Sequence, residues 1–349
     1  MPVLVGLKAV SGGLDIKAHP AITLNVSETP IEKLKRRIFL RTGSARGFLA
    51  KVKQQEAKLV HAHFAVDACA FLPIVRQLRI PLIVTLHGYD IMRHESSMHQ
   101  WPETRTYIHR KRELWRDANL FLCVSEHIRK QALQQGFPKN KLRVHRIGVN
   151  LIQFVANHES RREKIVLFVG RLVEKKGCTH LIHAMSHVEK TIPGARLVVI
   201  GDGPLRLSLE REAAQSIKNS RFLGKQSHAE VCDWMARAAV LALPSIRAED
   251  GDCEGLPTVA CEAQAAGLPV AAFATGGVSE AFPEKIRSML PNEGDEAGLA
   301  EIITRLLTDV ETWRRFSISG RRYIEEHLDL ELQTCALEHI YDDIVAAHK

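Results

Sequence analysis

The sequence is short of what several protein classes require. Among its 349 residues no apolar run approaches the roughly 18 that a membrane helix needs. The apolar start, Met1 to Leu7, has only a strand's length. It lacks a basic leader and a small-residue cleavage site, so no signal peptide is expected. Seven cysteines (Cys69, Cys123, Cys178, Cys232, Cys253, Cys261, Cys335) are odd in number and form no C-x-x-C pair. That usage argues against a disulfide framework or a zinc site and suits a reduced, cytoplasmic setting. No G-x-x-x-x-G-K-[ST] loop is present. Gly201-Asp202-Gly203-Pro204 lacks the third glycine of a dinucleotide fingerprint, because position 206 is Arg.

What is present is ordinary for a globular chain, with 45% apolar and 25% charged residues. At about 100–200 residues per domain, this length suggests two domains. Residues 1–157 carry 25 Lys and Arg against 11 Asp and Glu, whereas residues 158–349 carry 23 against 29. A basic front half attracts anionic lipid, nucleic acid or phosphorylated substrate.

Short apolar runs alternate with helical stretches, the pattern of βαβ units around a buried parallel sheet. Expected strands are 3–7, 59–64, 82–87, 119–124 and 144–147 in the front half, with a turn at Ser11–Gly13 and one basic helix over 32–53. Asn157–Glu163 is polar and reads as a linker, after which the rhythm restarts at Ile165. The expected fold class is therefore α/β, with two Rossmann-like, doubly wound domains facing across a cleft. Their bounds are 1–157 and 158–330, followed by a closing helix over 331–349.

Three stretches carry candidate chemistry. Gly170-Arg171 ends a strand, and Glu174-Lys175-Lys176-Gly177 leads into the next helix. Arg171 and Lys176 held beside a helix N-terminus suit a phosphate, although a solvated basic turn has the same spacing. Gly201-Asp202-Gly203-Pro204 permits positive φ and close backbone approach, as an ordinary strand-to-helix turn also does. In Glu254-Gly255-Leu256-Pro257-Thr258, Pro257 opens a helix and Gly267 closes it. The amides of residues 255–258 would be open to an anion, with Glu254 before them and Glu262 one turn in. Two carboxylates around a phosphate cradle suit a nucleotide sugar; a dipole-stabilising acid and a solvated one are the plainer alternative. In the front half, His87 stands at a strand's carboxyl end before Gly88. His61 and His63 share a strand face, with no cysteine or carboxylate nearby to complete a metal site.

Taken together these residues resemble glycosyltransferase family 4, the group-1 glycosyl transferases of GT-B fold. The likeness runs over about 59–349. It rests on the ordered set G-R-L-V-E-K-K-G at 170–177, G-D-G-P at 201–204, F-L-G at 222–224 and the E-x7-E helix from Glu254 to Glu262. The runs HAHFA at 61–65, HGYD at 87–90 and AEDGDCEGLPTVACEAQAAG at 248–267 are similar to the subgroup that builds bacterial exopolysaccharides such as colanic acid.

The resemblance implies a retaining transferase that passes a sugar from a UDP- or GDP-sugar to a lipid-linked oligosaccharide, without a metal or other cofactor. Arg171 and Lys176 would neutralise the departing diphosphate, Glu254 would hold sugar hydroxyls, and Gly255, Leu256, Pro257 and Thr258 would cradle the phosphates. Glu262 would bind the ribose, Phe222 and Leu223 would lie by the base, and His87 would reach the donor sugar. Gly201 and Gly203 count with the donor site. Members usually open with a strand, a Gly-rich loop and a helix, so the front sheet is expected to lack its first strand–helix unit, and Gly12-Gly13 inherits no role. Asn150 stands where a G-V-D turn has Asp. A non-catalytic nucleotide-sugar-binding or scaffold protein is the alternative.

The basic clusters are Lys33, Lys35, Arg36, Arg37, Arg41 and Arg46, and then Arg105, Arg110, Lys111, Arg112 and Arg116 with Tyr107, Leu114 and Trp115 among them. A basic amphipathic helix with aromatics suits an anionic membrane surface, the expected peripheral site at the inner membrane. No nucleic-acid module is present.

Overall fold

Ala238–Leu243 is apolar at every position and Leu82–Leu86 at every position but Thr85, and both runs are buried throughout, as strands covered on both faces must be. The computed structural model describes residues 3–8, 21–25, 29–42, 46–156, 158 and 162–348. The chain divides into two compact units. One comprises residues 1–123, 132–143 and 338–349, and the other residues 124–131 and 144–337.

The first unit begins with β1 (Leu4–Lys8) and β2 (Ala21–Asn25), a parallel pair forming a sheet of its own. α1 (Pro30–Thr42) and α2 (Arg46–Lys53) follow, two helices where the sequence suggested one. Ile22 of β2 packs with Phe39, Phe48, Val52 and Ile74 in a local core. The Phe39 ring meets Phe48 and Phe71 edge-on at 5.9 and 5.8 Å. Strand β2 is absent from the sequence reading, and the Ser11–Gly13 turn lies outside the described residues.

Next come β3 (Val60–His63), α3 (Ala65–Leu78), β4 (Leu82–Leu86), the single turns α4 (Tyr89–Met92) and α5 (Glu95–Met98), α6 (Pro102–Asp117), β5 (Leu120–Cys123), α7 (Glu126–Gln134) and β6 (Leu142–Val144). The sheet order is β3-β4-β5-β6. Strands β3, β4 and β5 pair in parallel, with Thr85 beside His63. The aromatic residues of α6 do not lie among solvated cations, as the sequence suggested. Tyr107 and Leu114 are buried, and the Trp115 ring sits 5.0 Å from that of Phe137. Helical periodicity gives them one face, and the core takes it.

The second unit contains β7 (Glu163–Val169), α8 (Cys178–Thr191), β8 (Arg196–Ile200), α9 (Arg206–Ser216), β9 (Ser220–Gly224), α10 (His228–Arg237), β10 (Ala238–Leu243), α11 (Thr258–Ala265), β11 (Val270–Ala272), α12 (Glu284–Arg287), α13 (Glu296–Thr308), α14 (Val310–His327) and α15 (Leu330–Ala347), whose last residues belong to the first unit. Its strands run parallel in the order β11-β10-β7-β8-β9. The chain winds one way from β7 and then returns to its other side at β10. The carboxyl ends of β7 and β10 therefore flank a topological switch point, where open α/β sheets bind ligands.

In the second unit α10, α13 and α14 start with side-chain caps. Ser227 and Glu230 form a capping box on α10, and Asp309 accepts the Glu311 and Thr312 amides of α14. Of the stretch read as a linker, 157 and 159–161 lie outside the described residues. Glu163 is already in β7. Arg162 is pinned: its guanidinium donates to the Met235 and Ala236 carbonyls at 2.6 and 2.9 Å and to Ala266 at 3.2 Å, and it stacks 5.4 Å from the Trp313 ring. It closes the carboxyl ends of α10 and α11, a favourable place for a cation.

Candidate functional site

Loops leaving β7, β8, β10 and β11 are held together at the switch point by glycines. The Gly170 amide donates to Ile200, and the Leu172 amide to Asp202. A Cβ on Gly201 would lie 1.9 Å from the Gly170 carbonyl oxygen, and one on Gly203 would lie 2.3 Å from that of Leu172. A Cβ on Gly177 (φ 62°) would lie 1.9 Å from the Pro244 carbonyl oxygen, and one on Gly277 would lie 1.8 Å from that of Gly255. Only glycine lets backbone approach backbone this closely. Gly201 and Gly203, assigned to the donor site from the resemblance, also pack on the loop that carries Arg171.

Arg171 is exposed and lines an open hollow of ≈ 780 Å³ with Gly201, Gly203, Lys225, Gln226 and Val231. Lys176 and Glu262 are outside this lining. Lys176 turns instead to the loop after β10, its Nζ 2.6 Å from Glu254 Oε1. Glu254 is buried and also accepts from the Ser245 hydroxyl at 3.1 Å. Burial raises its pKa, but Lys176, Lys175 and Ser245 outweigh that and hold the carboxyl below the usual carboxylate range. Lys175 pairs with Asp252 at 3.1 Å, and the Glu249 amide donates to Glu174. A basic strip after β7 is thus laced to an acidic strip after β10.

Pro257 is the cap residue of α11, one position ahead of the place expected. Gly255, Leu256 and Pro257 are buried and Thr258 is exposed. Among the described residues the amides of Gly255, Leu256 and Thr258 meet no backbone acceptor. Unpaired amides at a helix start are donors for an anion. Glu262 lies one turn along, where burial raises its pKa and His228 lowers it. Phe222 and Leu223 are half-buried on β9, and the hollow is lined by the next residues, Lys225 and Gln226. Sequence reasoning missed Ser245, Lys175–Asp252 and the Gly276-Gly277 turn. Only the paired glycines carried a local signal.

In the first unit, His87 directly follows β4. Asp90 of the HGYD run is buried; its carboxylate accepts from the Ala65, Gly88 and His87 amides at 2.8, 3.1 and 3.3 Å. It thereby fixes the loop that carries His87. One ring nitrogen of His87 shares a hydrogen bond with His63 at 2.9 Å. His63 stacks on His61, 4.7 Å away, whose ring bonds Tyr341 and Thr85 at 2.5 and 2.7 Å.

Burial, then His63, pushes the His87 pKa from 6.5 down to about 4. The unfolded chain therefore takes up this proton at a higher pH than the folded one. Acidification from about pH 6.5 to about pH 4 is expected to destabilise the chain by up to about 3 kcal/mol at this group, levelling off below that. Urea unfolding across that window tests it. An equally steep acid slope in His87→Asn would refute the assignment.

Among family models, Glycosyltransferase Family 4 matches residues 12–153, and Glycosyl transferases group 1 matches 152–323. The first match begins well ahead of residue 59, where the sequence likeness was placed. The amylovoran biosynthesis glycosyltransferase AmsK of Erwinia amylovora is 30% identical over 256 residues, covering 71% of this chain and 60% of AmsK. TuaC of Bacillus subtilis, named for teichuronic acid biosynthesis, is 29% identical over 276 residues, covering 75% of this chain and 64% of TuaC. The chain thus spans less than two thirds of either relative's length. Anabaena Alr3699/HepE, solved with UDP and glucose, superposes with TM-score 0.72 at 20% identity over 93% of this chain and 86% of that one, which shows a shared GT-B fold. With both family models matched in order and the fold shared, this chain belongs to the group-1 glycosyl transferases of glycosyltransferase family 4.

Proposed function

We propose that this chain is a retaining glycosyltransferase. It moves a sugar from a nucleotide-sugar donor, such as a UDP- or GDP-sugar, to a lipid-linked oligosaccharide in exopolysaccharide synthesis, at the cytoplasmic face of the inner membrane. The observation that carries this reading is the switch point. It gathers an exposed Arg171, the Lys176–Glu254 pair and open amides before α11 at one sheet edge. The names of AmsK and TuaC, and the UDP and glucose bound by HepE, support it.

In the proposed reaction the bond from the anomeric carbon to the diphosphate oxygen breaks, and the acceptor oxygen bonds that carbon on the same face. The acceptor's proton passes to the leaving phosphate oxygen. Charge gathers on the diphosphate, so fixed cations and amides that meet it lower the barrier. Arg171 is already open to an anion, and Lys176 would turn to phosphate as Glu254 accepts from sugar hydroxyls. Glu262 would hold the ribose. His87, neutral above about pH 4, would offer the sugar an uncharged hydrogen-bonding group.

A radiolabelled donor with membrane acceptor tests the proposal. Arg171→Ala and Lys176→Ala are each expected to slow turnover by ~10²-fold or more, and losses under about threefold in both would refute the phosphate clamp. Donor binding with no turnover on any acceptor would favour the scaffold alternative, and sugar release without acceptor would indicate a hydrolase.

A further inference from the structure

The H-x-H run of β3 has no part in the reading above, and the fold gives it a place. Strand pairing sets His63 beside Thr85, two positions ahead of His87. His61 is the fixed end of the row, because its ring is bonded at both nitrogens, to the Tyr341 and Thr85 hydroxyls. His63 stacks on that ring at an inclination of 26°. Its Nδ1 meets His87 Nε2 at 2.9 Å, with the two ring planes only 29° apart. Phe64 packs its own ring 4.6 Å from that of His87. It does so from φ 69° and ψ 135°, a strained conformation for a bulky residue, while its amide donates to the Thr85 carbonyl at 2.9 Å.

Neither ring of the bonded pair belongs to the core: His63 is exposed and His87 half-buried. Packing therefore explains little of their contact, whereas orientation explains it. A hydrogen bond between two imidazoles takes an N–H from one ring and a lone pair from the other. With His87 uncharged, its tautomer follows from that of His63. Nε2 of His87 is spent on this bond, so His63 decides whether the remaining nitrogen, Nδ1, donates or accepts. We propose that His63 is a positioning residue for His87, fixing the orientation and tautomer of that ring for the donor sugar. This rests on the reading of His87 as the group that meets the sugar, and it gives the H-x-H run a task in the same reaction.

The test pairs donor kinetics with ring ¹⁵N NMR of the full chain. His63→Phe keeps an aromatic ring on His61 and removes the hydrogen bond. It is expected to lower kcat by about 10–10²-fold with donor KM changed less than about threefold, since a loosened group costs most in the transition state. The His87 ring shifts should move towards those of a mixture of tautomers. His63→Asn, whose amide can stand in for Nδ1, is expected to restore kcat to within about fivefold of wild type. In a His87→Ala background His63→Phe should cost nothing further, because it acts only through that ring. Wild-type kcat in His63→Phe overturns the proposal, and so do additive losses in the double variant or unchanged His87 shifts. His63→Ala takes the place of His63→Phe should the latter melt well below wild type. If the wild type transfers sugar to no acceptor, the transferase reading fails, and the His87 shifts in His63→Phe alone decide whether His63 holds that ring.

Discussion

Glu254→Gln is expected to lower turnover by about 10²–10³-fold and to destabilise the second unit by about 3–5 kcal/mol. Lys176 Nζ lies 2.6 Å from this carboxylate in a largely buried setting, with side-chain exposures of 17% and 9%. Lys175 cannot relieve the loss, because it is committed to Asp252. Removing one partner strands a cation away from water, which costs far more than the pair itself contributes. The double variant Lys176→Met/Glu254→Gln should regain much of the lost stability and none of the turnover. Urea unfolding and donor turnover on the same preparations separate the two effects. Wild-type stability in Glu254→Gln would mean that the pair is not closed in solution.

Gly201→Ala is the second large effect. Its φ of 137° belongs to glycine, and the new methyl would sit 1.9 Å from the Gly170 carbonyl oxygen. The neighbour is backbone, so relief requires moving the turn that carries Arg171. A cost of at least about 3 kcal/mol is expected, lowering the melting temperature by about 6–12 °C. Displacing Arg171 should also weaken donor affinity by tenfold or so, since a phosphate contact worth about 1.5–3 kcal/mol is misplaced. Thermal shift with and without a UDP-sugar reports both, and an unshifted melting temperature would contradict the packing described.

The second unit was legible in sequence because its signals are local. Val-rich runs such as Arg196–Ile200 stop at glycine and Pro, and α10, α13 and α14 begin at Ser227, Asp295 and Asp309, recognisable caps. β2 escaped because its alternation, Ile22 and Leu24 against Thr23 and Asn25, spans only five residues, too few to stand out. The single turns α4 and α5 are too short for any periodicity. Residue types at the candidate site were visible, but their pairing was not: Lys176 and Glu254 stand 78 positions apart. Nor did the sequence show which apolar side of a basic helix the core would take. It drew attention to α6, whose aromatics are internal, rather than to α1, whose Ile31, Leu34 and Ile38 are not.

The contacts of Gly177, Gly201, Gly203 and Gly277 with carbonyls of Pro244, Gly170, Leu172 and Gly255 clasp neighbouring loops against each other with no slack. Lengthening any of these turns by even one residue would break a clasp on its neighbour. Side-chain replacement around this rim would leave the clasps whole, whereas an inserted or deleted residue in any of these turns would not.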